Sequence, residues 1–293
     1  MSRMAEDKLV PLGSGDIKIE GYLGEQIDLC IKNGIMAAEY PLYIEPFRAK
    51  TDEGGSWGGE FWGKWYTSAV PAYHYKPIPE FKEIIDNAVN GLMATQEENG
   101  RVSSSKTDFK SWDIWGRKYA LLGMLAYYEQ TGDKQVLHAA ERAVDALVDV
   151  AGPGKTKLTE TGLSVLEALS SSSILEPLAL LCRYSEDRKY LEFARYIVSL
   201  LSEPNTFTSK GMRLIEDALD GVDPVKISAP KGYEMMSCYE GLCELYRVTG
   251  EEKLLDAAIR FAKKVLEKEI MIVGSGSSAE LWCDGANRQT ELL

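Results

Sequence analysis

Histidine is almost absent: 293 residues hold two, His74 and His138, far apart in the chain. That excludes a metal centre built from histidines alone and leaves no histidine pair for acid–base work. The five cysteines (Cys30, Cys182, Cys238, Cys243, Cys283) are an odd number without a CxxC pair. That argues against a disulfide framework and for the reduced thiols of a cytoplasmic protein. Cys238 and Cys243 fall on different faces of one predicted helix and read as core. Nothing in the chain forms a complete metal-ligand set. Positive charge is also short: 33 Lys and Arg against 45 Asp and Glu, a net charge of −12. Nucleic acid and anionic membrane both demand a basic face, so neither is expected as a partner. Residues 1–15 lack a basic start followed by an apolar run, and no stretch reads as long enough to span a membrane. There is no Gly-rich phosphate loop and no defensible Ser-His-Asp set.

What is present is a repeat. Hydrophobic residues make up 45% and charged residues 27%, normal for a globular chain long enough for one large domain or two ordinary ones. Tyr128 leads through Thr131-Gly132-Asp133 to Leu137. Tyr184 leads through Ser185-Glu186-Asp187 to Leu191, and Tyr246 through Thr249-Gly250-Glu251 to Leu255. After each leucine the apolar positions recur on one helical face: Leu137, Ala140, Val144, Leu147; Leu191, Ala194, Val198, Leu201; Leu255, Ala258, Ala262, Val265. Phe81, Ile84, Ala88 and Gly91 make a weaker fourth copy. Such hairpins cannot bury their apolar faces alone, so they stack. The expected fold class is therefore all-α, a toroid of helical hairpins.

The spacing predicts helices over 21–35, 61–75, from 79, and over 112–130, 134–150, 173–184, 188–201, 233–248 and 252–270. Residues 1–20 read as irregular or strand-like. Residues 41–58 and 203–231, rich in proline and glycine, read as long loops. The whole of 21–293 reads as one incomplete ring: four hairpins and a leading helix fall short of six. The last residues, Thr290 to Leu293, carry neither a cap nor a polar tail, so the chain is expected to be the front part of a longer protein.

Aromatic residues gather where the first helix of each pair begins: Trp57, Phe61, Trp62, Trp65 and Tyr66; then Trp112, Trp115 and Tyr119; then Tyr233 and Tyr239. In a toroid one helix of each pair lines the interior, and aromatic rings beside carboxylates suit sugars. For any one of these residues ordinary core packing is the better reading, but for the Trp57–Trp65 and Trp112–Trp115 clusters, each following a Gly- or Ser-rich loop, a pocket is. Trp57, Trp62, Trp65, Trp112, Asp113, Trp115, Tyr233, Glu234 and Tyr239 are the candidate substrate-binding residues. Glycoside cleavage needs a group that protonates the leaving oxygen and one that attacks or activates water. Glu60, Asp113, Glu234, Glu240 and Glu280 lie outside the solvent-facing stripes. Glu280 follows a Gly-Ser-Gly-Ser-Ser run and precedes Leu281-Trp282-Cys283. Desolvation by Trp282 would raise its pKa, as a general acid requires, although a surface glutamate at a turn reads equally well.

Several stretches together resemble glycoside hydrolase family 127, the β-L-arabinofuranosidase type. They are Gly58 to Trp65, the Gln96–Gly100 turn, Trp112 through Asp133, and Cys238-Tyr239-Glu240-Gly241-Leu242 running on to Gly250. The likeness covers the chain from about residue 20. It implies an (α/α)6 barrel followed by β-sandwich modules, a plant-type or arabinose-containing glycan as substrate, and retention of configuration. It further implies a zinc-bound cysteine as nucleophile and a glutamate acid/base after a Gly-rich turn, the position of Glu280. The Glu-Thr-Cys ligand motif and later cysteine pair of the family have no counterpart in this chain, and Cys283 is no substitute. Zinc is therefore expected only with residues beyond this chain, and the chain alone is expected to be inactive. The histidine the family carries near Trp112 and Asp113 is also missing, which opens the substrate to sugars other than arabinofuranose. Three alternatives stay open. One is a metal-independent hydrolase of the unsaturated-uronyl type, disfavoured by the −12 charge. Another is a sugar epimerase, disfavoured by the scarcity of histidine. The third is a carbohydrate-binding toroid without catalysis.

Overall fold

The computed structural model describes residues 5, 7–51, 56–107, 109–271 and 274–284. Among them twelve α-helices follow in order: α1 (Gly21–Cys30), α2 (Tyr40–Ala49), α3 (Glu60–Tyr75), α4 (Pro79–Met93), α5 (Ser111–Thr131), α6 (Lys134–Val148), α7 (Val165–Ser172), α8 (Leu175–Tyr184), α9 (Arg188–Ser202), α10 (Leu214–Leu219), α11 (Gly232–Thr249) and α12 (Glu252–Lys268). The described residues contain isolated bridges but no strand. Internal contacts divide the chain into two compact units. One holds residues 7–108 and 115–147; the other holds Phe109–Ile114 and the chain from Val148 onward.

The repeated turn has one construction. Gly132 and Gly250 both sit in the left-handed region at φ 70°. Each donates its N–H to a carbonyl four residues back, on Tyr128 and Tyr246, at 2.7 Å. The preceding threonine hydroxyl, Thr131 or Thr249, bonds the carbonyl of Tyr127 or Leu245 and accepts the N–H of Asp133 or Glu251. A residue without Cβ closes the helix and threonine satisfies an orphan carbonyl, so Thr-Gly-acid is a helix stop followed by a helix start. The α8–α9 copy has no glycine; Ser185 is extended, and the Asp187 carboxylate caps the next helix through the Lys189 N–H. That backbone bond holds the Asp187 carboxyl below its usual value. Gly250→Ala is expected to cost about 1–2 kcal/mol, the penalty of a left-handed alanine. Urea denaturation measures it, and a neutral result would mean that the turn relaxes.

The buried stripe differs from the predicted one in the later copies. In α6 all four expected positions are buried. In α9 the buried residues are Tyr190, Phe193, Ala194, Ile197, Leu200 and Leu201; in α12 they are Leu254, Ala257, Ala258 and Phe261. Ala262 is exposed. A core-facing helix buries two adjacent rows rather than one, so the stripe centres between Leu255 and its predecessor.

Three predicted segments need correction. Residues 41–58 are not one loop: α2 tolerates Pro41 in its first turn, where no N–H is required, and contains Pro46 as well. The 203–231 stretch carries α10, whose Leu214, Ile215 and Ala218 are buried. Residues 165–184 are, by length and composition, apolar enough to cross a membrane, contrary to expectation. They form two helices, α7 and α8, broken at Ser173–Ile174 and mostly buried in the protein. Serines 170–173 each turn their hydroxyl back onto a backbone carbonyl, which lets a polar run lie in the core.

In the first unit the segment before α1 is irregular rather than a strand, and it is tied to the end of α3. His74 Nε2 donates to the Leu12 carbonyl at 2.8 Å, and Ser14 Oγ and Gly15 N–H donate to the His74 carbonyl. At the end of α2, Lys50 Nζ meets Glu97 at 2.6 Å, and Arg101 joins from 3.1 Å. Partial burial works against the Glu97 charge, but the Lys50 hydrogen bond and both cations outweigh it and hold the carboxyl below its usual value. A lowered carboxylate contributes stability above its unfolded pKa and loses it as pH falls through the folded value. Glu97→Gln is therefore expected to flatten the acid side of the stability–pH curve while losing stability at neutral pH. A variant with an unchanged acid limb would show that the pair contributes nothing.

Candidate functional site

In the first unit the start of α3 packs against α5. A Cβ on Gly63 would lie 2.2 Å from the Tyr119 carbonyl, so the two backbones touch. Glu60, in the first turn of α3, accepts the Trp115 indole N–H and pairs with Lys64 at 3.0 Å. Lys118, itself buried, sits over the rings of Trp115 and Tyr119, 4.7 and 4.6 Å from their centroids. Trp115 is thereby a buried ring held at its edge and on its face. Trp57 is about half exposed and meets Phe61 edge-on.

Two of the predicted sugar platforms stack on neighbouring rings. Trp62 is fully buried and stacked on Tyr66 with centroids 4.5 Å apart. Trp65 stacks on Tyr40 and donates its N–H to the Ile35 carbonyl at 3.1 Å. Trp65 keeps part of its surface exposed, whereas the apolar faces of Trp62 are used up by the helix packing. The same holds for Tyr239 in the second unit. Its hydroxyl donates to the Leu214 carbonyl at 2.7 Å, its ring stacks on Phe261, and burial pushes its phenol far up.

The second unit holds the remaining candidates, Glu234 and Tyr233 at the start of α11 and Trp112 and Asp113 at the start of α5. Glu234 lies in the first turn, buried, with Ser170 Oγ 3.5 Å away. Tyr233 and Trp112 are partly exposed. Asp113 is buried and accepts the Phe109 N–H at 3.2 Å.

Glu280 stands just outside α11, on a segment that doubles back against residues 230–232. The Gly232 N–H donates to the Glu280 carbonyl at 2.7 Å, and the Trp282 N–H to the Pro230 carbonyl at 2.8 Å. The Glu280 carboxylate pairs with Lys231. The expected desolvation by Trp282 does not occur. The indole is buried under Phe261, whereas the Glu280 side chain is 48% exposed. Residues two apart share a face only along an extended strand, and Glu280 is left-handed at φ 63°, so Trp282 does not lie over it. Ser277, Ala279, Glu280 and Asp284 all have positive φ, between 48° and 63°. Each costs about 1–2 kcal/mol for a residue with a Cβ, and such strain persists only where the surroundings over-determine it.

Sequence reasoning missed Lys231 and Glu269. Lys231 follows Pro230 at a helix entry, a detectable position. Glu269 looks like one more charge in the Lys- and Glu-rich end of α12, and only the returning chain makes it special. An apolar groove of about 450 Å³ runs along α11 and α12 beside Phe261, Val265 and Leu266; Glu234 and Glu280 are not among its lining residues.

Among the described residues no group of three His, Cys, Asp or Glu side chains could hold a metal ion, so they do not fit zinc. The thiols are no closer to a nucleophile: burial pushes Cys182 up to about 12 and raises Cys243.

The family model for the beta-L-arabinofuranosidase, GH127 catalytic domain, matches residues 19–287. The chain belongs to glycoside hydrolase family 127. A non-reducing end beta-L-arabinofuranosidase of Bifidobacterium longum subsp. longum is 22% identical over 248 residues, covering 74% of this chain and 37% of that protein. The crystal structure of a GH127 beta-L-arabinofuranosidase from Geobacillus stearothermophilus T6 superimposes with a TM-score of 0.65 at 16% identity, over 90% of this chain and 47% of that one. A second GH127 beta-arabinofuranosidase gives 0.59 at 15% identity, over 90% and 42%. The chain thus spans less than half the length of these relatives. At such identity the structures show the fold, and that fold is the all-α barrel type expected from the hairpin repeat.

Proposed function

We propose that this protein is a glycoside hydrolase that removes a β-L-arabinofuranosyl or closely similar sugar from a glycan, with Glu280 as the acid/base. Family membership supports the reaction class. The observation that carries the residue assignment is the strained segment pinned against residues 230–232, which presents an exposed carboxylate at the start of α11. Glu280 would give its proton to the leaving oxygen and later take one from water. For that, its ion pair with Lys231 has to open, and Lys231 becomes free to hold a substrate hydroxyl or oxygen. Trp112, Tyr233, Asp113 and Glu234 are proposed to bind the sugar. Retention of configuration rests on the family resemblance alone. No step is assigned to zinc, because the described residues offer it no donor set. A cytoplasmic location belongs to the same proposal, supported by five cysteines that are all free thiols.

The test is sugar release by the complete gene product from 4-nitrophenyl β-L-arabinofuranoside, with an unsaturated uronyl disaccharide in parallel. Release from the first alone is expected. Turnover of only the second would move the protein to the uronyl hydrolases, and binding without turnover of either would make it a carbohydrate-binding toroid.

A further inference from the structure

We infer that Glu269 is a positioning residue for Glu280, holding the segment that presents it; this rests on the acid/base reading of Glu280. Glu269 follows the last residue of α12 as its C-cap, and its side chain is fully buried. Its two oxygens are used by two successive backbone amides. Oε2 accepts the Cys283 N–H and Oε1 the Asp284 N–H, both at 3.0 Å. A buried carboxylate is costly unless its lone pairs are filled, and charge-assisted bonds of this kind are about twice as strong as neutral ones. Adjacent amides converge on one carboxylate only where the chain turns sharply, and Asp284 is left-handed there, at φ 48°.

The clamp closes one end of a short span. At the other end, Gly232 bonds the Glu280 carbonyl, and between the two, Trp282 is fixed by its N–H to Pro230 and by its ring under Phe261. Glu280 is therefore itself the other anchored end of the span, in a backbone conformation that an unanchored glutamate avoids. If the Glu269 clamp is released, residues 279–284 can relax toward ordinary φ values, and the Glu280 side chain leaves its place beside Lys231. Among the described residues the Glu269 carboxylate hydrogen-bonds only backbone amides, so its influence on the reaction passes through Glu280.

The experiment has two arms in the complete gene product, comparing Glu269→Gln, Glu269→Asp and Glu280→Gln. Gln presents an amide N–H to one of the two amides it must accept. Asp keeps the charge but shortens the reach by a methylene, and serves where Gln does not fold. In the first arm, hydrogen exchange of peptides covering 275–284 is expected to speed at least about ten-fold in the Glu269 variants, with α11 and α12 unchanged. No change, or an equal rise throughout α11 and α12, overturns the clamp. In the second arm, turnover is compared on an alkyl and a 4-nitrophenyl arabinofuranoside. Positioning predicts that Glu269→Gln loses kcat selectively on the alkyl glycoside, the pattern of Glu280→Gln, with KM little altered. An even loss on both glycosides, where Glu280→Gln is selective, overturns the positioning role. If Glu280→Gln itself shows no selectivity, the acid/base reading has failed and the catalytic half of the inference fails with it, while the exchange result still decides whether Glu269 holds the segment.

Discussion

Glu280→Gln is expected to lower kcat on an alkyl arabinofuranoside by about 10²–10⁴-fold, the usual contribution of a positioned general acid. Glutamine keeps the size of the side chain and cannot give up a proton. The loss on a 4-nitrophenyl glycoside is expected to be smaller in the first, bond-breaking step, because nitrophenolate departs without protonation. Glu280 is half exposed, so removing its charge should leave stability near that of the unaltered protein, apart from the lost Lys231 contact. Steady-state kinetics on the two glycosides check this. Full activity on the alkyl glycoside would end the assignment, and an equal loss on both would mean that Glu280 binds substrate rather than protonating it. Buried Glu234 would then be the next carboxyl group to vary.

Trp62→Ala is expected to destabilise the protein by about 3–5 kcal/mol, the range for removing a buried Trp or Phe side chain. The indole is wholly enclosed, stacks on Tyr66, and covers Gly123 so closely that a Cβ there would lie 2.5 Å from the ring. No smaller side chain can collapse into that slot without moving α3 against α5. Trp62 Nε1 has no hydrogen-bond partner among the described residues, so its polar atom adds nothing to hold it there. Trp62→Phe should accordingly cost far less than Trp62→Ala. Urea denaturation of both variants measures the difference. A cost under about 1 kcal/mol for alanine would show that the residue faces an open pocket, as the aromatic clustering suggested, and not the core.

The two variants mark where sequence reading works in this molecule. Periodicity is a local property, and a hairpin repeats its own stop and start. Thr131-Gly132-Asp133 and Thr249-Gly250-Glu251 could therefore be read as helix boundaries before any contact was known, and the structure builds them alike. Where local signals conflicted, the reading failed: proline at 41 and 46 suggested a loop, but tertiary burial of Ile44 and Phe47 holds α2 as a helix. Apolar residues at helix starts announce that something large is buried or bound. They do not say which, since a ring serves a sugar and a core by the same surface. Only the packing separated Trp62 and Tyr239, which are buried against neighbours, from Trp57, Trp65, Trp112 and Tyr233, which keep exposed surface.

The sequence by itself determined the helical-hairpin architecture, because it is written in spacing and in short turns that depend on adjacent residues, and the family was legible only as a resemblance of ordered stretches between Gly58 and Gly250. It also singled out Glu280, from the unusual Gly/Ser run before it. The surroundings of that carboxylate were decided by the tertiary structure alone. Lys231 is 49 residues away in sequence and Glu269 is 14 residues from Cys283, and both are brought to the segment by the return of the chain across the start of α11 and the end of α12. Charge, exposure and backbone strain at Glu280 follow from those distant partners, and no local pattern encodes them.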